Sequence, residues 1–84
     1  MDYLAIHFPD QHRFEIVVDG KIAYLEYETK KQEMDIVHTV VPRSLEGRGI
    51  GSALMKEALR YAEEKQLNVI PTCSFAQTYM MRHK

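Results

Sequence analysis

The 84-residue sequence has only one cysteine, which excludes an internal disulfide and fits a reducing compartment, so a cytoplasmic setting is expected. It also lacks an excess of either charge sign. Eleven Lys and Arg stand against twelve Asp and Glu, for a net charge of −1 with His neutral. That balance excludes the overall basic footprint of a nucleic-acid binder, although it leaves room for a local basic rim around an anionic ligand. No apolar run approaches the ~20 residues that span a bilayer, so no membrane partner is expected. The opening MDYLAIHFPD carries an early Asp and a Pro, with no basic region ahead of an apolar stretch, so no secretion signal is expected. Repeats, low-complexity segments and internal linkers are missing too. At 45% hydrophobic and 27% charged, the composition is that of a globular chain rather than a disordered one. Its length suits one domain, residues 1–84, with a single core around one sheet and one or two helices.

What is present reads as strands first and helices later. Tyr3 to His7 is a short apolar stretch ended by the turn signal Pro9-Asp10. Arg13 to Val18 places Phe14, Ile16 and Val18 on one face. Asp19-Gly20 then links it to Ile22–Thr29, and a two-residue Asp-Gly link between β-rich runs predicts a tight hairpin. Lys30 to Glu33 is the next turn. Met34 to Val41 is a further strand, with Met34, Ile36, His38 and Val40 expected on one face. The continuous β-branched end Thr39-Val40-Val41 is expected to be covered on both faces, and Pro42 stops the ladder. Ile50 to Lys65 has helical spacing of Ile50, Leu54, Ala58 and Tyr61, with Ala53 and Ala62 beside them. Leu67–Thr72 is a last strand, and Ser74 is the expected N-cap of a final helix. The order is β-β-β-β-α-β-α, an α+β or mixed α/β chain whose last strand lies parallel to Met34–Val41 across a β-α-β crossover.

Between that strand and the long helix stands Glu46-Gly47-Arg48-Gly49-Ile50-Gly51. Glycines let successive N–H groups turn toward one point, and the first-turn amides, here from Ile50 to Ser52, are unpaired at the positive end of the helix dipole. The result is an anion site suited to phosphate or diphosphate, to which Arg48 can add a charged contact. A purely structural turn is the alternative. Two familiar phosphate loops fit badly: Ser52-Ala53 stands where a Walker loop needs Lys-Ser or Lys-Thr, and only one strand follows, too little for a dinucleotide fold.

The run VVPRSLEGRGIGSALMKEALRYAEEK resembles the acetyl-CoA-binding motif of the GNAT superfamily of N-acetyltransferases, Gln/Arg-x-x-Gly-x-Gly/Ala. Residues 46–51 match it at Gly49 and Gly51, while Glu46 stands where Gln or Arg is usual. The segments HRFEIVVDGKIAYLEYE, HTVVP and PTCSFAQTY are similar to a compact GNAT-like family of about this length. The resemblance implies a GNAT-like five-stranded mixed sheet lacking the first two helices of larger members. It also implies acetyl-CoA as cofactor. The backbone of Val40 and Val41 would pair with the pantetheine arm, and the amides from Gly47 to Gly51 would hold the diphosphate. The thioester would lie between the splayed ends of Met34–Val41 and Leu67–Thr72.

Acetyl transfer needs a deprotonated amine, donors for the developing oxyanion and an acid for the thiolate. By resemblance, Tyr79 takes the position of the tyrosine that protonates the CoA sulfur; otherwise it is an ordinary core or surface aromatic. Cys73 closes the last strand, where a thiolate at a helix start could accept an acetyl group; otherwise it is a small buried hydrophobe. His38 could serve as general base, or as a hydrogen-bonded core residue. His7, His12 and His83 show no metal-ligand spacing with His38 or Cys73, and no metal is expected. The sequence therefore points to an acetyl-CoA-dependent N-acetyltransferase acting on a small-molecule or protein amine. The alternatives are a non-catalytic acyl-CoA-binding module and an interaction domain whose loop is structural. A domain this small could complete its cleft as a homodimer.

Overall fold

The computed structural model describes residues 3–83. Strand β1 (Ile6–Phe8) leads through a 3-10 turn at Pro9–Gln11 into β2 (Arg13–Val18), β3 (Lys21–Lys30) and β4 (Glu33–Val40). Helix α1 (Ile50–Glu64), β5 (Asn68–Pro71) and α2 (Ser74–Arg82) complete the expected order. The five strands lie in sequence order across one sheet, antiparallel up to β4 and parallel between β4 and β5. The β2–β3 hairpin follows directly from Asp19-Gly20, whose φ values of 54° and 74° give the double left-handed turn that matches strand twist. Val18 pairs with Lys21 across it, which sets the register that turns Phe14, Ile16, Ala23 and Leu25 inward.

Both helices cover the same face of the sheet. Ile50, Leu54, Met55, Ala58 and Ala62 of α1 and Ala76 of α2 join Phe14, Ile16, Leu25, Met34 and Ile36 in one core. The buried stripe of α1 is rotated from the expected one toward Met55, leaving Tyr61 and Ala53 at its partly buried flank. The opposite face of the sheet carries Glu15, Val17, Ile22, Tyr24 and Glu26, with Arg13 stacked over the Tyr24 ring at 3.7 Å.

Two expectations about β4 fail, one at a bulge and one where β5 stops pairing. The register passes from Tyr27↔Ile36 to Glu26↔His38, so Val37 is an extra residue and β4 is bulged there. A one-residue insertion reverses the alternation of everything beyond it. Thr39, opposite buried Leu25, therefore faces the helices, while His38 and Val40 turn to the other side. Only Met34 and Ile36 share the inward face, not His38 and Val40. Nor is the Thr39–Val41 end covered on both faces. Val40 is 41% exposed, and β5 pairs with β4 only from Glu33 to Ile36. Beyond that point β5 leaves the sheet. The Cys73 N–H donates to the Ile36 carbonyl at 3.0 Å, and the chain turns into α2. The N-cap of α2 is Cys73 rather than Ser74, its Sγ accepting from the Ala76 N–H at 3.3 Å.

At the other end of α1, His7 stacks on Phe14 with centroids 4.1 Å apart, and its Nε2 lies 2.6 Å from the Tyr27 hydroxyl. Tyr61 meets His7 edge-on at 4.4 Å. Burial lowers the His7 pKa, partly opposed by Glu57, because the charged imidazolium loses water there. Burial, reinforced by Tyr61, pushes the Tyr27 hydroxyl up to about 12.

The helix start depends on two glycines in different ways. Gly49, the N-cap of α1, has φ +80°, as does Gly47, and open space surrounds the place where a Cβ would stand on either. Gly51 has no such torsion, but a Cβ there would lie 2.7 Å from the Phe75 ring tip of α2. Gly49→Ala should cost about 1–2 kcal/mol in urea unfolding, the cost of a left-handed L-residue. Gly51→Ala should stay within about 1 kcal/mol, because the half-exposed Phe75 ring can swing aside.

The aromatic end sets a pH prediction. A histidine whose folded pKa is lowered gives stability present above its unfolded value of 6.5 and lost as pH falls. A tyrosine whose pKa is raised gives stability present below 10.0 and lost toward 12. His7→Phe should therefore flatten the acid limb of a stability–pH curve, and Tyr27→Phe the alkaline limb. Both are read from urea midpoints between pH 5 and 11.

Candidate functional site

The loop between β4 and α1 is fixed at both ends. Leu45, at the end of the 3-10 turn Arg43–Leu45, is buried beside Ile50 in the core. Outside, Lys21 Nζ donates to Ser44 Oγ at 2.5 Å, and Arg48 Nη1 lies 3.5 Å from Asp19 Oδ2. The loop is thus pinned to the β2–β3 hairpin. Between these anchors the chain takes its two left-handed steps at Gly47 and Gly49, and α1 begins with no side-chain cap and no acidic residue in its first turn. The amides of Ile50, Gly51 and Ser52 have no intrahelical partner at that position. They carry the positive end of a 15-residue helix. No atom crowds the Cβ positions of Gly47 and Gly49, so the loop ahead of these amides is clear of side chains at both glycines.

These amides open onto a cavity of about 430 Å³ that runs from the loop along the far end of β4 to Phe75. Of the expected binding residues, Val41, Glu46, Gly47, Gly49, Ile50, Gly51 and Ser52 line it. Val40 and Arg48 do not; the bulge turns the Val40 side chain to the other face, in the stretch of β4 that β3 pairs and β5 does not. Thr39, Leu45 and Phe75 are the lining residues that sequence reasoning passed over. Thr39 could not be found from the alternation, because only the bulge turns it inward. Glu46 is the one titratable residue lining this cavity.

The expected catalytic residues are dispersed. Cys73 Sγ lies 3.5 Å from Thr39 Oγ1, at the split between β4 and β5. His38 is exposed on the helix-free face and so does not meet them. Tyr79 and Arg48 line a second cavity of about 500 Å³ over the outer side of α1, along with Lys56 and His83. Gly49 and Ser52 border both cavities, so the two lie side by side at the helix start.

The comparisons with known proteins match the sequence over most of the chain, the loop included. The family model for GCN5-related N-acetyl-transferases matches residues 13–84. Protein NATD1 of Mus musculus is 35% identical over 77 residues, covering 88% of this chain and 70% of the relative. Protein NATD1 of Homo sapiens is 41% identical over 62 residues, covering 74% of this chain and 54% of the relative. The Xenopus tropicalis protein of the same name is 37% identical over 62 residues, 74% of this chain and 56% of its own. The chain thus matches little more than half the length of most of these relatives. Its GNAT-like sheet and helices, its glycine loop and these matches place the chain in the GCN5-related N-acetyltransferase family.

Proposed function

We propose that this chain binds acetyl-CoA at the loop and cavity between β4 and α1 and transfers the acetyl group to an amine. The observation that carries this reading is the uncapped start of α1, whose amides face a cleft continuous with backbone that β5 leaves unpaired. Bound acetyl-CoA would supply an acyl group activated by its thiolate leaving group. The amides from Gly47 to Ser52 would hold the diphosphate, with Arg48 exchanging its exposed, 3.5 Å contact to Asp19 for a phosphate oxygen. Backbone groups of the Val40–Val41 stretch that point to the side β5 vacates would pair with the amides of the pantetheine arm, as an added strand does. Glu46 is accommodated because the cradle is made of backbone, leaving its carboxylate free to turn from the diphosphate.

At the mouth between β4 and β5, the residues able to handle a proton are Thr39 and Cys73. Cys73 is held by its cap bond to Ala76, and Thr39 Oγ1 stands beside its sulfur. In this reading Cys73 takes the proton-delivering role otherwise expected of Tyr79, which lines the neighbouring cavity. The acceptor is an amine of a small molecule or an exposed lysine. A second reading, a CoA-binding module without turnover, is favoured by one feature: neither His38 nor any carboxylate other than Glu46 reaches the cavity.

Calorimetry with acetyl-CoA, CoA and NAD tests the binding step. CoA species should bind and NAD should not, and Gly49→Val should weaken CoA binding about tenfold or more through lost left-handed geometry and a blocked approach. If no CoA species binds, the reading is wrong. Turnover is followed as CoA release across a panel of amines. Cys73→Ala should lower it about a hundredfold without changing CoA affinity, whereas Tyr79→Phe should leave the rate within about threefold. No release with any amine, alongside tight CoA binding, selects the module.

A further inference from the structure

Strand β5 ends beside the mouth, and the ladder alone does not hold its last residues. The final rung sets Ile36 opposite Pro71, and a proline has no N–H to give it. The two residues that follow are tied by other means. The Cys73 N–H donates to the Ile36 carbonyl at 3.0 Å. The Thr72 hydroxyl donates to Asp35 Oδ1 at 2.5 Å, one residue before Ile36 on β4. From the other side, Gln77 Nε2 of α2 donates to the Thr72 carbonyl at 3.3 Å. Thr72 is thus held to β4 by its hydroxyl and to α2 by its carbonyl, and Cys73 is the next residue.

We infer that Asp35 is a positioning residue for Cys73: through Thr72 it fixes where β5 leaves the sheet, and so where the sulfur stands at the mouth. For the sulfur's role the inference rests on the transfer reading above, whereas its placement is a property of the fold alone. The contacts of the sulfur are the first argument. Sγ lies 3.5 Å from Thr39 Oγ1 on β4 and accepts from the Ala76 N–H of α2 at 3.3 Å. These partners belong to different elements, so the sulfur meets both only while residue 73 stays at their junction. The kind of bond is the second. A carboxylate acceptor strengthens a hydroxyl donor's bond, which lets this link hold at a surface where water competes. The lack of other work for Asp35 is the third. It forms no ion pair among the described residues and does not line the cavity below the glycine loop.

Cys73 is the one cysteine of the chain, so alkylation by iodoacetamide reads its sulfur alone, with no cofactor or acceptor present. Asp35→Ala and Thr72→Val should each raise the alkylation rate about fivefold, the worth of a water-exposed hydrogen bond. Rates are compared well below the urea midpoint of each variant, where global unfolding does not contribute. The double variant should go no further than either single one, because the two side chains act as one link. Asp35→Asn and Thr72→Ser keep an acceptor and a donor in place and should stay within about twofold of wild type. Glu33→Ala removes a carboxylate from the same strand, opposite Asn68 rather than Thr72, and should not change the rate. In CoA release, Asp35→Ala and Thr72→Val should lower kcat about fivefold and leave CoA affinity by calorimetry unchanged, since neither residue lines the cavity. An unchanged alkylation rate, additive effects in the double variant, or Asp35→Asn matching Asp35→Ala overturns the assignment. The expected alkylation pattern without turnover of any amine upholds the positioning and sinks the transfer reading instead.

Discussion

Helix α1 begins with N–H groups that its own chain does not satisfy, and much of the molecule is arranged around that vacancy of partners. A helix of this length usually recruits a serine, threonine or aspartate at its N-cap. Here the N-cap is a glycine in the left-handed region, with a second left-handed glycine two residues earlier. Leu45 and Ile50 anchor the chain in the core on either side, and the Lys21–Ser44 and Arg48–Asp19 contacts tie the loop to the first hairpin. The donors are consequently fixed in space beside the cavity that Ile50, Gly51 and Ser52 line. Fixed, uncompensated donors at the positive end of a dipole form a preorganised anion site, since the ordering cost is met by folding rather than binding.

A second device, the bulge at Val37, supplies the rest of the cleft. It re-aims Thr39 toward the helices and sends His38 and Val40 outward. The parallel pairing with β5 ends at Ile36, next to the bulge, and Cys73 redirects the chain by donating to the Ile36 carbonyl and capping α2 through its sulfur. Strand β4 therefore has an outer half with free backbone groups beside the glycine loop. The two features together create one groove from the β4–β5 split to the helix start. Phe75, lying over Gly51, is its wall, which explains the small residue there without any appeal to unusual torsion.

The two ends of α1 serve different purposes. Its start is open, polar and short of partners. Its end is closed by His7, Phe14, Tyr27 and Tyr61, packed ring against ring with a hydrogen bond between His7 and Tyr27. A domain of this size buries a limited core, so a dense aromatic plug at one end of its main helix offsets what the open end forgoes.

Sequence alone determined the features that rest on local chemistry. Asp19-Gly20 dictated a hairpin because both positions accept positive φ, and the β2 boundaries, Arg13 to Val18, follow from its alternation and this turn. The spacing of Gly47, Gly49 and Gly51 marked the helix start, and the apolar stripe of α1 marked its covered side. What only the tertiary structure decided lies beyond a break in periodicity or depends on distant segments. One inserted residue at Val37 reverses the faces of β4, and no composition signal announces it; hence His38 was expected inward and Thr39 was overlooked. Cys73 rather than Ser74 caps α2, because the cap is set by where β5 leaves Ile36. The meeting of Tyr79, His83, Arg48 and Lys56 around one cavity joins residues from a loop and two helices. Local pattern fixes torsions and faces within one element, whereas a site is made where elements meet, and that depends on packing the whole chain at once.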